Sequence, residues 1–342
     1  MIDCLAKELI LRKDELKSEI ECIYFGGGTP SLLTIDDIRF LISEIYQNYK
    51  IAEKPEITLE ANPDDLSEEK IIQLSQSPVN RLSIGIQSFF EDDLKLMNRA
   101  HNAEEAEQCL SVATRYFKNI TLDLIYGIPK MSSEKWLQNI NKALSFDIPH
   151  ISAYALTVEP KTTLKTLIEK GKIPPVDETL AAQHYHLLVT TLEKNGYVNY
   201  EFSNFGKPEY FSRNNTAYWT GKPYIGVGPS AHSYDGNIRS WNIANNTLYI
   251  KGINSGERVF ESEKLSVSER FNEYLMTSLR TMWGVSLTKI QENFGEKYLT
   301  FLHSQAENHL KNKNLIIENN RLHITKEAKF LGDGIIADLF WV

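Results

Sequence analysis

The chain has 342 residues, 42% hydrophobic and 24% charged; without any low-complexity tract, it reads as a globular protein with room for one large domain and a smaller one. Its formal charge of −8, with no basic run to override it locally, argues against nucleic acid as a partner. Apolar runs break at charge or Pro well short of the roughly 18 residues a membrane span needs, so at most peripheral membrane association and a cytoplasmic location are expected.

Ile2, Leu5, Leu9, Ile10 and Leu16 recur at helical spacing among Lys and Glu, which predicts an amphipathic helix over residues 2–20. Cys22-Ile-Tyr-Phe25 then reads as a short buried strand that stops at three glycines, with a helical period from Thr34 to Tyr49. The strand-then-helix unit recurs. Glu56-Ile-Thr-Leu-Glu60 precedes a helix from Ser67, and Arg81-Leu-Ser-Ile-Gly-Ile86 precedes helices near Asp92 and from Ala103. Ile120-Thr-Leu-Asp-Leu-Ile125 leads to a helix from Ser132, and His150-Ile-Ser-Ala-Tyr-Ala155 to one from Thr162. Five such units require parallel strands with crossovers, hence an α/β barrel or part of one over residues 21–235. Beyond about residue 260, helical patterns at 264–281 and 287–313, a Leu315-Ile-Ile-Glu strand and Leu322-His-Ile-Thr resemble a winged-helix-like module. The expected domains are therefore a partial barrel at 1–235, a connector at 236–260 and a C-terminal module at 261–342.

Polar residues fall at the strand ends: Gly26 to Thr29, Glu60, Gln87, Asp123 and the 155–157 segment. Loops at the carboxyl ends of parallel strands build ligand sites, so these points are expected to converge. The Gly26-Gly-Gly-Thr-Pro-Ser31 run is equally a tight strand-to-helix turn and a place where a ligand meets bare backbone. It is no P-loop, lacking a Gly-Lys-Ser/Thr. Asp123 inside an apolar strand needs a partner, as does Glu60, and Arg99 is a candidate cation for either. Arg213-Asn-Asn-Thr-Ala-Tyr-Trp219 and Gly226-Val-Gly-Pro-Ser-Ala-His232 could line a flat apolar ligand or pack on their own aromatics. His184 and His186, two apart on a helical segment, face different sides and do not make a metal site.

Together, Tyr24-Phe-Gly-Gly-Gly-Thr-Pro-Ser31, Glu60-Ala-Asn-Pro63, Arg81-Leu-Ser-Ile-Gly-Ile-Gln-Ser88, Asn98-Arg99, Asp123-Leu-Ile-Tyr-Gly-Ile-Pro129 and the Tyr218-Trp219 and Gly226–His232 stretches resemble the oxygen-independent coproporphyrinogen III oxidase group of the radical S-adenosylmethionine superfamily. The resemblance is to its haem-chaperone branch above all. It implies an incomplete radical-SAM barrel with Gly27, Gly28 and Thr29 at the methionine amino end of S-adenosylmethionine. Glu60 and Arg99 would lie near its polar groups, Gln87 and Asp123 at its ribose hydroxyls, and Ala155 beside its adenine. It further implies haem as cargo, carried by Arg213, Asn215, Tyr218, Trp219 and His232, and a haem protein as acceptor. The alternative it allows is the porphyrinogen oxidase itself, a radical oxidative decarboxylation.

Two departures qualify the resemblance. The family holds a 4Fe-4S cluster on a three-cysteine loop after the first barrel strand. Cys4, Cys22 and Cys109 are not spaced as such a loop, so no metal ligand is assigned here. The chain is expected to be truncated at its start, beginning in the helix that follows that loop, with the first barrel strand missing and the cluster confined to a full-length form. The branch also carries a His-Asn-x-x-Tyr-Trp motif, where this chain has Asn214-Asn-Thr-Ala-Tyr-Trp219. An amide is a far poorer iron ligand than an imidazole.

Overall fold

The computed structural model describes residues 1–160 and 162–342. The chain begins with α1 (Ile2–Leu11), β1 (Ile20–Phe25), α2 (Ile35–Asn48), β2 (Ile51–Ala61), α3 (Glu68–Ser75), β3 (Arg81–Gln87), α4 (Glu91–Leu96) and α5 (Ala103–Tyr116). There follow β4 (Ile120–Tyr126), α6 (Ser133–Leu144), β5 (His150–Ala155), α7 (Thr163–Glu169), α8 (Glu178–Lys194), β6 (Val198–Glu201), β7 (Asn204–Gly206) and α9 (Arg213–Trp219). Next come β8 (His232–Tyr234), β9 (Ile238–Asn242), α10 (Asn246–Asn254), β10 (Phe260–Lys264), α11 (Val267–Leu279) and β11 (Val285–Ser286). The chain ends with α12 (Leu287–Phe294), α13 (Glu296–Lys311), β12 (Leu315–Glu318), β13 (Arg321–Ile324) and α14 (Gly332–Asp338). No helix of the described residues is long and apolar enough to cross a membrane.

Two compact units interleave along the chain, one of residues 22–35 and 56–212, the other of 1–21, 36–55 and 213–342. The division expected above follows chain order instead. Residues 236–260, expected as a connector, carry β9 and α10.

The first unit is built on a sheet of order β1-β2-β3-β4-β5-β7-β6. β2 through β5 pair in parallel, each new strand adding on the same side. That sequential order is the curl of an incomplete (β/α) barrel, and it differs from the doubly wound order, in which the strand sequence reverses. β3 is buried at every position from Arg81 to Ile86, as a strand covered on both faces must be. Helices start where capping chemistry places them: Ser67, Ser132 and Thr162 each accept a backbone N–H three residues on. The β6–β7 hairpin runs antiparallel and covers the open edge of β5. At the amino ends of the strands, Arg81 donates to Thr121, which meets His150 Nδ1 at 3.0 Å; His150 Nε2 meets the Tyr200 hydroxyl at 2.8 Å. Burial, with Arg81 nearby, drives this imidazole well below its ordinary value, so it stays neutral.

The second unit holds two small sheets, β10-β9-β8 and β11-β13-β12. With α11, α12 and α13, the latter sheet forms the winged-helix-like module. Its β12–β13 hairpin turns at Asn319 and Asn320, both in the left-handed region. Two expectations are corrected. The helix expected over 2–20 ends at Leu11, where the backbone passes into turns, Lys13 N–H reaching Ile10 O at 3.5 Å and Glu15 N–H Arg12 O at 3.0 Å, while the buried Arg12 guanidinium is committed to Gly226 O and Ser233 Oγ. The helix expected over 287–313 is two helices, broken at Gly295 with φ 93°.

Candidate functional site

Within the first unit, the carboxyl ends of β1 to β5 bring the expected residues together. Gly27 and Gly28 have φ of 75° and 65°, and a Cβ at either would meet nothing within 4 Å. The loop thus presents bare backbone to open space, in a conformation that glycine adopts without strain. Thr29 follows, its carbonyl accepting Leu32 N–H at 3.1 Å. Glu60, at the end of β2, is fixed from two sides: the Tyr24 hydroxyl donates to Oε1 at 2.6 Å and Gly27 N–H to Oε2 at 3.2 Å. Burial and the Glu60 charge both raise the Tyr24 phenol, so it remains a donor.

Gln87 ends β3 at φ 66°, beyond an irregularity in the pairing of β3 with β4. A non-glycine residue held there is strained, and such strain gathers at ligand sites. A Cβ on Gly85 would lie 2.8 Å from Gln87 Nε2 and 3.1 Å from an Arg99 nitrogen, so glycine lets both side chains close over the strand. Arg99 donates to Asn62 Oδ1 at 3.2 Å and to Gly85 O at 3.4 Å. The direct carboxylate partner expected for Arg99 is therefore replaced by the Asn62 amide. Asp64 and Asp123 act on it only through their fields, against a burial that lowers its pKa. Asp123, mid-β4, sits opposite Ser152 of β5 and receives the Ser83 hydroxyl at 3.5 Å. Burial pushes its carboxyl up to about 7, opposed by Ser152, Arg81 and Ser83 and reinforced by Glu60. Ala155, exposed, pairs with Tyr126 at the end of β5. Beyond β4 a cavity of about 600 Å³ opens between Gly127 and Lys130 on one side and Pro174, Pro175 and Asp177 on the other. His184 is buried, takes Gly127 N–H on Nδ1 at 3.2 Å and belongs to no metal-ligating cluster among the described residues.

Within the second unit, Arg213 opens α9 and donates to Lys54 O at 2.7 Å. The helix buries none of its residues, Asn215 and Trp219 being half-covered and Tyr218 49% exposed. Tyr218 meets Trp219 edge-on at 5.3 Å, and its ring continues to Tyr224 at 5.9 Å and from there to Tyr234 at 6.4 Å. Arg280 lies over Trp219 at 5.7 Å. His232, on β8 two residues before Tyr234, is exposed and stacks on Trp241 of β9. Tyr24 and Asn62 lay within motifs legible in the sequence; Tyr224, Tyr234 and Trp241 became visible as partners only through strand pairing.

The geometry agrees with what the chain resembles among known proteins. Residues 5–143 match the radical SAM superfamily. The heme chaperone HemW of Bacillus subtilis is 33% identical over 93% of this chain and 84% of that protein; the heme chaperone HemW of Lactococcus lactis is 32% identical over 98% and 88%. Among solved structures, the coproporphyrinogen III oxidase HemN from Escherichia coli, described as a radical SAM enzyme, superposes with a TM-score of 0.83 at 19% identity. It covers 99% of this chain and 82% of its own, and at that identity it speaks for the fold alone. An incomplete barrel carrying these strand-end residues, together with a third of the sequence shared along most of the length of two HemW proteins, makes this chain a member of the HemW family within the radical SAM superfamily.

Proposed function

We propose that this chain is a haem chaperone, holding haem on its second unit and S-adenosylmethionine on its first, and passing the haem to a haem protein. The observation that carries the haem reading is the ring surface of the second unit. There an exposed Tyr218, a tyrosine row and an exposed His232 follow one another on short, well-tied elements. A porphyrin offers a flat apolar face and a metal, and such a surface meets both needs. Arg213, Asn215, Tyr218, Trp219 and His232 are its proposed contacts. The names of the two HemW relatives support the same reading. Equilibrium dialysis against haem and against coproporphyrinogen III, side by side and without oxygen, tests it: retention of haem is expected. Retention of the porphyrinogen alone would favour the oxidase alternative.

The strand ends of the first unit fit S-adenosylmethionine. Gly27, Gly28 and Thr29 offer backbone to its amino end, Glu60 and Arg99 are positioned for its charged groups, and Gln87 and Asp123 supply acceptors for hydroxyls. Ala155 leaves flat space for a base. When it is reduced by a 4Fe-4S cluster, this cofactor supplies a 5′-deoxyadenosyl radical. The cysteines of this chain do not fit such a cluster. Cys4 is packed with Tyr249 and Ile253, Cys22 lies mid-strand, and burial pushes the Cys109 thiol up to about 12, away from the thiolate a cluster requires. No radical step is assigned to these residues.

Asp123 gives the binding site a pH dependence. The ionised carboxylate accepts the hydroxyls, so affinity for S-adenosylmethionine is expected to rise as pH increases through about 7. Asp123→Asn should flatten the profile, as calorimetric titrations between about pH 6 and about pH 8 would read. In the free protein the sign is opposite. A carboxyl held above its unfolded value binds its proton more tightly when folded, so stability from this group falls as pH rises from the ordinary carboxyl range to about 7 and is lowest above it. An affinity that falls with rising pH would contradict the assignment.

A further inference from the structure

We propose that His232 is the haem-iron ligand of the second unit, with Trp241 and the buried Glu8–Arg12 pair as its positioning residues; the assignment rests on the haem reading above.

The sheet β8-β9-β10 has two chemically distinct faces. Along β8 and β9 the side chains alternate, so Ser233, Ser240 and Asn242 share one face and His232, Tyr234, Arg239 and Trp241 the other. The first face is saturated. Glu8 is fully buried and accepts four donors: Arg12 at 3.0 Å, Gly228 N–H at 2.9 Å, Asn242 Nδ2 at 2.7 Å and the Tyr249 hydroxyl at 2.6 Å. Arg12 in turn donates to Gly226 O at 2.6 Å and Ser233 Oγ at 2.9 Å. The Gly226-Val-Gly-Pro-Ser-Ala-His232 motif is therefore clamped to α1. Gly226 is needed where it stands because a Cβ there would lie 2.1 Å from the His232 carbonyl oxygen. The loop crosses the backbone of His232 itself, which fixes the residue in place.

The opposite face is where a ligand can arrive. Its Tyr234 end is flanked by α11, through the Arg239–Glu273 ion pair and the Arg270–Asn237 bond. At the other end His232 is exposed and makes no side-chain hydrogen bond or ion pair among the described residues. Its ring lies 5.8 Å from that of its cross-strand partner Trp241, at 29°. Stacking narrows the rotamers of an imidazole that the backbone already holds, so less ordering is left to be done when iron binds. Of the other histidines, His101, His150 and His184 are buried and His309 faces Asp338 at 3.2 Å, while His186, His303 and His323 lie on α8, α13 and β13 and not on this sheet. Position 214, an asparagine here, has no imidazole to give. A neutral imidazole nitrogen is a ready axial ligand for haem iron.

The test is a haem titration of the full chain followed by absorbance and electron paramagnetic resonance, with thermal melting to check the fold. His232→Ala should bind haem at least about tenfold more weakly and lose the imidazole-ligated signature, and free imidazole should restore that signature. His303→Ala, on an exposed stretch of α13, should behave as the parent does. Trp241→Ala should keep the signature with weaker binding. An unchanged spectrum in His232→Ala, a loss that imidazole does not restore, or a loss in His303→Ala overturns the ligand assignment while leaving the chaperone reading intact. A parent chain that takes up no haem overturns both.

Discussion

Replacing Glu8 with alanine is expected to cost about 3–5 kcal/mol of stability, the loss typical of removing one partner from a buried ion pair. Glu8 and Arg12 have side chains 0% and 1% exposed, and their contact is 3.0 Å. Without the carboxylate, Arg12 keeps only partners that do not neutralise it from within, since Glu15 is 45% exposed. Asn242, Tyr249 and the Gly228 amide each lose an acceptor, and Arg258, 3.9 Å from Glu8, loses part of its field. Glu15→Ala serves as the control, expected to cost no more than about 1 kcal/mol at its exposed position. Denaturant titration read by tryptophan fluorescence compares the two. A Glu8→Ala midpoint equal to that of Glu15→Ala would show that the α1 clamp does not hold the second unit together.

Glu60→Ala is expected to weaken S-adenosylmethionine binding about 10- to 100-fold, equivalent to about 1.4–2.8 kcal/mol. One carboxylate orders both the Gly27 amide and the Tyr24 hydroxyl. A cofactor that binds to bare backbone needs that backbone fixed beforehand, since ordering it on binding subtracts from affinity. A Cβ on Gly26 would sit 2.6 Å from the Tyr24 ring and 3.1 Å from Glu60 Oε1, so the three residues pack as one piece. Glu60→Gln keeps an acceptor and should lose less. Calorimetric titration of the two variants measures the difference, and parental affinity in a folded Glu60→Ala would remove Glu60 from the site.

Much of this architecture is legible in the sequence because local chemistry and tertiary structure agree. Ser132 and Thr162 cap helices where their side chains can accept a backbone N–H, and the apolar run Ile120–Ile125 needs both faces covered. Local signals fail where a distant partner decides. Nothing in residues 2–20 says that the Arg12 guanidinium will turn into the Gly226 carbonyl where the helix ends. Arg99 reads as a carboxylate partner, but its nearest acceptor is an amide 37 positions away. Of the β8–β9 hairpin, which falls partly in the segment expected as a connector, only the Asp235-Gly236 turn signal is local, Asp235 Oδ1 accepting Asn237 and Ile238 N–H at 2.8 and 2.7 Å. The stacking of His232 on Trp241 is not, because it depends on register across that turn.

Haem delivery separates a chaperone from a chain that only binds haem. Chain loaded with one equivalent of haem and freed of excess is mixed with an apo-haem protein, and the absorbance bands of donor and acceptor are followed together. The expected result is loss of the chain's own haem band as the acceptor's holo spectrum appears, with haem conserved between them. A chain that retains its haem in the presence of the acceptor, or never takes it up, would contradict the chaperone reading.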